Sequence, residues 1–343
     1  MLIVPYLGYG TAGRLALEGR VLDDALVPEA QDGDPRWRNL VRFWRRLESD
    51  EVPGARLRAR FAGVSAETLT DAEGYFRIDL VPPAPVAPGW HNVELELLAP
   101  RTGVHATGRV MVPSPQARFG VISDIDDTVV PSGATRKVSM VVRLALSNAR
   151  TRKPFAGVGA FYRALHAEVN PFVYLSKSPW NLYAPLVELF TLQRLPEAPL
   201  LLRDYGPQLL RRRSEGHKLV HIERVLETYA ALPFVLIGDS GEEDPEIYSE
   251  AVRRHPDRIK VIYIRSVSLG EKRDPPRIAA IQRLMEEVRP TGCQLVLVPD
   301  TGFAAAHAAG EGLIQPSALP DILEEVRLDN SRSNAPASTG SLK

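Results

Sequence analysis

The chain has 343 residues, with 42 Lys and Arg balancing 42 Asp and Glu to a formal net charge of zero, and a single cysteine, Cys293. Balanced charge gives no global attraction to nucleic acid, one cysteine excludes an internal disulfide framework or a multi-cysteine metal site, and no apolar run approaches the roughly 20 residues that span a bilayer. That length predicts two or three domains, and the opening Met1-Leu-Ile-Val-Pro-Tyr6 lacks the basic flank and continuous apolar stretch of a secretory signal, so the cytoplasm is the expected compartment.

From 14 to 112, alternating or apolar segments fall at Leu15 to Val21, Ala55 to Phe61, Tyr75 to Leu80, Val93 to Leu98 and Val104 to Val112. Turns such as Thr70-Asp-Ala-Glu-Gly74 and Pro82-Pro-Ala-Pro85 separate them, a pattern that predicts a small antiparallel β-sandwich over residues 1–115. One helix is expected to interrupt it, Pro35 to Glu48, whose Trp37, Leu40, Val41, Trp44 and Leu47 share a face. The Thr-Asp-x-x-Gly-Tyr-Phe turn resembles those of transthyretin-like or immunoglobulin-like modules, whose role here is either structural or partner binding. Gly8-Tyr-Gly10-Thr-Ala-Gly13 matches the dinucleotide fingerprint in spelling alone, because that motif needs a following helix and Arg14 to Leu22 alternates like a strand.

Beyond Pro113-Ser-Pro115 the grammar changes: strands near 119, 171, 198, 233, 259 and 294 alternate with helical segments. This α/β order predicts a Rossmann-like, mostly parallel sheet with helices on both faces, spanning 116–327. The first strand, Phe119-Gly-Val-Ile-Ser-Asp124, breaks into Ile125-Asp126-Asp-Thr128. Ligands of open α/β sheets sit at the carboxyl ends of strands, and residues two apart in an extended segment point the same way. Asp124 and Asp126 can therefore converge on one bound group, one carboxylate attacking and the other handling protons, with Thr128 fixing the loop. The bland alternative is that Asp, Ser and Thr gather at strand ends as turn and cap residues.

An insert at about 131–155 follows, placed where a small helical lid would arise. Its Val138-Ser-Met-Val-Val-Arg-Leu-Ala-Leu-Ser147, apolar nearly all round and flanked by Arg136, Lys137, Arg150, Arg152 and Lys153, reads equally as a packed lid or as a helix approaching anionic lipid. Phe172-Val-Tyr-Leu-Ser176 ends a second apolar run in a hydroxyl that could donate to a phosphoryl oxygen, and Lys177 beside it is a candidate substrate contact. Ser178-Pro179 reads as an N-cap and first-turn pair. Arg211, Arg212 and Arg213 are either a patch for an acidic headgroup or a solvated turn.

Lys218 opens a helix whose Leu219, Ile222, Leu226 and Tyr229 share a face. A lysine there is disfavoured by the helix dipole, and a phosphate about 4 Å away, worth roughly 4 kcal/mol at a near-surface dielectric, would outweigh that. In isolation, a solvated surface lysine is the simpler reading. His217 and His221 lie four apart with no further ligand close in sequence, which reads as helix surface. A second acidic turn, Gly238-Asp239-Ser-Gly-Glu-Glu-Asp244, then follows Phe234-Val-Leu-Ile237. Magnesium takes about six oxygens, commonly one or two carboxylates plus water and phosphate. Asp124 and Asp239 meet that need with the Asp126 carbonyl, while Asp244 is either a ligand or the N-cap before Pro245. The Gly-Asp-Ser-Gly string invites a serine-hydrolase reading, but His255 and His307, the histidines after Ser240, lack the acid partner expected near a base. The tail at 328–343, rich in Ser, Asn, Ala and Gly, is expected to be disordered.

In order, Asp-x-Asp-x-Thr, a strand-end Ser, a Lys and Gly-Asp-x-x-x-x-Asp resemble the haloacid dehalogenase superfamily of aspartate-nucleophile phosphatases. More closely, Ser123-Asp-Ile-Asp-Asp-Thr128, Leu175-Ser-Lys-Ser-Pro-Trp180, Leu201-Leu-Arg-Asp-Tyr-Gly206, Gly216-His-Lys218 and Gly238-Asp-Ser-Gly-Glu-Glu-Asp-Pro-Glu-Ile-Tyr248 resemble the catalytic domain of the actin-patch type phosphatidate phosphatases. The resemblance covers about residues 116–300 and implies magnesium-dependent conversion of phosphatidate to diacylglycerol. It implies Asp124 as nucleophile, Asp126 as acid and base, Ser176 and Lys218 on the phosphoryl oxygens, and Asp239 on the metal. A soluble phosphomonoester remains the alternative substrate, and a catalytically idle protein that binds a partner through its first domain is the alternative of another class.

Overall fold

The computed structural model describes residues 1–23, 51–125, 156–203, 216–266 and 275–334. The expected helix at 35–48, the insert at 131–155, Asp126, Thr128 and the three arginines Arg211, Arg212 and Arg213 lie outside the described residues. In chain order the first strands are β1 (Leu2–Pro5), β2 (Gly8–Thr11), β3 (Arg14–Leu22), β4 (Arg56–Phe61), β5 (Val64–Leu69), β6 (Tyr75–Leu80), β7 (Gly89–Ala99) and β8 (Val104–Val112). There follow β9 (Gly120–Asp124), α1 (Val158–His166), β10 (Phe172–Pro179), α2 (Tyr183–Leu192), β11 (Leu200–Arg203), α3 (His217–Thr228) and β12 (Phe234–Asp239). The chain continues through α4 (Asp244–Arg254), β13 (Ile259–Arg265), α5 (Pro275–Val288), β14 (Gln294–Val298), α6 (Thr301–Gly310) and α7 (Leu319–Asn334).

Two compact units emerge: the first is Met1–Ala117 with Lys177–Ala184 and Ala198–Ala231, and the second is Arg118–Ser176 with Pro185–Glu197 and Leu232–Lys343. The segments around Trp180 and α3, expected in the phosphatase domain, thus group with the first unit. Local chemistry explains the first of these. Trp180 stacks on Tyr6 with ring centroids 4.2 Å apart, and the Tyr183 hydroxyl accepts from the Leu7 amide at 2.8 Å.

In the first unit all eight strands join one hydrogen-bonded sheet, where a two-sheet sandwich was expected. The cause is β3: β1 pairs with its second half and β2 with its first, while β6 pairs across Leu15 to Arg20. A strand has only two edges, so β6 must occupy the one opposite β1 and β2. Pairing is antiparallel except for β2 with β8. Alternate residues, among them Leu15, Leu17, Leu57, Phe76, Ile78, Leu95 and Val110, form the buried core, each worth about 1.5–3 kcal/mol by area. The glycine string at 8–13 is a hairpin: a Cβ on Gly8 would strike the Ala16 carbonyl of β3, which is why glycine stands there.

The second unit carries the parallel strand order β10-β9-β12-β13-β14. All five residues of β9 and all six of β12 are buried, as strands covered on both faces must be, and this is why they read as unbroken apolar runs. Cys293, just before β14, is buried as expected of a small hydrophobe. Two local expectations fail. Ser178 and Pro179 do not begin a helix, because β10 runs through Pro179. Residues 328–334, expected to be disordered, close helix α7; the Asp329 carboxylate accepts from the Gly157 amide at 3.0 Å and Val326 packs where a Gly157 side chain would stand. The polar composition of that segment concealed a helix anchored on one face.

Candidate active site

Registers place the site. Asp124 and Asp239 end the neighbouring parallel strands β9 and β12, and Ser176, within β10, follows the Leu175 that pairs with Asp124. All three are buried. The Ile125 amide donates to the Leu175 carbonyl at 3.0 Å, carrying the strand pairing one residue past Asp124. Beneath Asp124, the Ser123 hydroxyl lies 2.6 Å from the Tyr162 hydroxyl of α1, whose phenol burial pushes well above its ordinary pKa. That pair keeps a neutral, fixed floor under the carboxylate.

The turn after β12 supplies the rest. Asp239 Oδ1 accepts from the amides of Gly241 at 2.5 Å and Glu242 at 3.1 Å, an Asx-type turn that folds residue 242 back toward its own start. Asp244 does not cap helix α4. It occupies the helix's first turn, and its Oδ2 accepts from the Asp239 amide at 3.2 Å. Gly238 makes room for this, since a Cβ there would collide with the Asp244 carboxylate. Helix α4 is tied back to β12 by the Tyr248 hydroxyl, which donates to the Ile237 carbonyl at 3.1 Å.

As a result Asp124, Glu242 and Asp244 each bring one carboxylate oxygen within 4.8 Å of the others. Three negative oxygens so close repel one another unless a cation or protons intervene. The set is hard and all-oxygen, which fits a divalent cation of the magnesium or calcium type better than a soft metal. Sequence reasoning missed Glu242. Asp-x-Gly after a strand is the signal that could have found it, because such a turn spends the Asp oxygen on loop amides and swings the next acid inward.

Other expected residues belong to the first unit. Lys218 is not a solvated lysine: at 2 % exposure it is among the largest fully buried side chains, on the opening turn of α3 in the first unit. His221, expected on the helix surface, is buried too. Lys177 is half-buried and also belongs to the first unit. On the second unit, the Arg265 guanidinium stands at the end of β13 beside Asp239 in register; burial lowers its pKa, and Tyr162, Asp300 and Asp239 oppose that shift.

Residues 119–266 match the family model described as phosphatidate phosphatase APP1, catalytic domain. Phosphatidate phosphatase APP1 of Saccharomyces cerevisiae is 32% identical over 155 residues, covering 44% of this chain and 26% of the yeast protein. An uncharacterized protein of Schizosaccharomyces pombe is 31% identical over 209 residues, 58% of this chain and 34% of that one. The chain thus spans only about a quarter to a third of the curated relatives it matches. Among solved structures, a phosphoserine phosphatase from T. onnurineus aligns with 57% of this chain and 96% of its own at 14% identity and a TM-score of 0.29, too low a score to bear on the argument. The stretch that holds Asp124, Ser176, Lys218, Asp239 and Asp244 therefore resembles the catalytic domain of the actin-patch type phosphatidate phosphatases.

Proposed function

We propose that the chain is a magnesium-dependent phosphatase of haloacid dehalogenase type, which hydrolyses a phosphomonoester through an aspartyl-phosphate on Asp124, with phosphatidate the first candidate substrate. The observation that carries this reading is the convergence of the Asp124, Glu242 and Asp244 carboxylates at the strand ends. It is supported by the family match over the same residues. Asp124, Asp244 and Glu242 would hold the cation; Asp239, expected as a ligand, is not among the three clustered carboxylates and instead shapes the turn that presents them. When bound, the ion cancels negative charge that would otherwise repel an anionic phosphate from an anionic nucleophile.

Asp124 is aimed by strand pairing on both sides of β9, which restricts its approach to the phosphorus. Its carboxylate attacks, the P–O bond to the alcohol breaks, and Asp126 donates the proton that the leaving alkoxide requires. Asp126, now a carboxylate, removes a proton from water, which hydrolyses the acyl-phosphate and restores Asp124. The Ser176 hydroxyl donates to an equatorial phosphoryl oxygen, and the resemblance to the phosphatase family assigns Lys218 to the same spread charge.

The test is phosphate release from phosphatidate in mixed micelles set against water-soluble monoesters, with and without chelator. Asp124→Asn is expected to abolish turnover and Asp126→Asn to lower it by about 10² to 10⁴, the usual worth of general acid–base help. Turnover surviving both changes would exclude the mechanism. Turnover of soluble esters equal to or better than that of phosphatidate would exclude the lipid assignment alone.

A further inference from the structure

One side chain outside the expected constellation holds the acidic turn from behind. Arg277, on the first turn of α5, donates from Nε to the Ser240 carbonyl at 2.9 Å and from Nη2 to the Glu242 carbonyl at 2.5 Å. The same guanidinium grips the Glu246 carboxylate in two-pronged fashion, through Nη1 to Oε1 and through Nη2 to Oε2 at 3.0 Å. Two carbonyls and a carboxylate are thus met by one planar fork, a geometry that lysine cannot reproduce.

What the fork fixes matters more than how many bonds it makes. The Ser240 carbonyl and the Gly241 amide belong to one planar peptide unit, and in a trans peptide they point in opposite directions. Arg277 takes the oxygen end while Asp239 Oδ1 takes the N–H end at 2.5 Å, so that plane is pinned from both sides. The Glu242 carbonyl is held by the same side chain, next to the carboxylate that joins Asp124 and Asp244. Rotation of the 240–241 peptide would break its bond to Asp239, and rotation at the Glu242 carbonyl would loosen the backbone that aims the Glu242 carboxylate at the cluster.

We propose that Arg277 is a positioning residue that locks the 239–244 turn in the shape able to bind a hard divalent cation. This rests on the reading of the acidic cluster as a metal site. A pure charge effect predicts the opposite sign, because removing a cation, and so freeing Glu246, would strengthen cation binding. Partners that orient ligands in this way typically account for about 10- to 100-fold in metal affinity.

The experiment is Mn²⁺ binding followed by electron paramagnetic resonance on the full chain, with magnesium competition. Arg277→Met is expected to weaken binding about 10- to 100-fold and Arg277→Lys by less. The double change Arg277→Met with Glu246→Gln, which leaves net charge as it was, should remain weakened. Affinity that is unchanged or tighter in Arg277→Met and in the double change would overturn the inference while leaving the metal site standing. A wild-type chain that binds no Mn²⁺ would overturn both the metal site and this role. Amide hydrogen exchange in the metal-free protein gives a second readout: Gly241 and Glu242 should lose protection in Arg277→Met, and protection equal to wild type would also overturn the proposal.

Discussion

Glu242 shows how much one side chain can decide. Its amide closes the Asp239 turn, its carbonyl is held by Arg277, and its carboxylate completes the cluster with Asp124 and Asp244. A unit charge 4 Å from an ion is worth about 4 kcal/mol at an effective dielectric near 20, and about 1.4 kcal/mol is a factor of ten in affinity. Glu242→Gln, which keeps size and loses charge, should therefore weaken divalent-cation binding by about tenfold or more, measured by titration calorimetry. Binding as tight as wild type would remove Glu242 from the site. At this scale the sequence was legible where chemistry is local. Asp124, Ser176 and Asp239 end apolar runs; Asp124 and Asp239 stand at strand ends, and Ser176 lies within β10, which continues to Pro179. It was opaque for Arg277, because nothing in Pro275-Pro-Arg277 reveals that a helix about 35 residues downstream folds back on the Ser240 carbonyl. For Lys218 the solvated alternative falls, since the side chain is buried, which periodicity could not show because it gives a face and not what packs over it.

Elements explain why the turn has its shape. Helix α4 starts immediately after the turn, with Asp244 and Glu246 near its positive end and Arg253 and Arg254 in its last turn, an arrangement the dipole favours. The close approach of that first turn to β12 requires the absent side chain of Gly238. Gly238→Ala should displace the Asp244 carboxylate and lower turnover more than overpacking alone, which costs about 1–3 kcal/mol of stability, would account for. Thermal melts alongside kinetics check this, and wild-type kinetics in a destabilised variant would contradict it. All six strands expected beyond residue 116 form, because buried parallel strands are short apolar runs bounded by turn residues. Three strands of the first unit escaped notice for opposite reasons: β1 ends in Pro5, β2 is glycine-rich, and β5 is Val64-Ser-Ala-Glu-Thr-Leu69 with half its residues exposed.

For the whole molecule, the division into units follows contacts more than chain order, since Lys177–Ala184 and Ala198–Ala231 group with the N-terminal sheet. Periodicity could not foresee this, because it reports which face of a segment is apolar and leaves open what buries it. Among the described residues no helix is long and apolar enough to cross a membrane. The central claim of the proposed chemistry is that Asp124 itself becomes phosphorylated. Acid-quenched single turnover with phosphatidate, or with whichever ester is turned over, followed by peptide mass spectrometry tests it most directly. A phosphoryl group on the peptide carrying Asp124, absent in Asp124→Asn, is the predicted result. Product formation at full rate with no phosphoryl group on that peptide, or with the group on another residue, would contradict it.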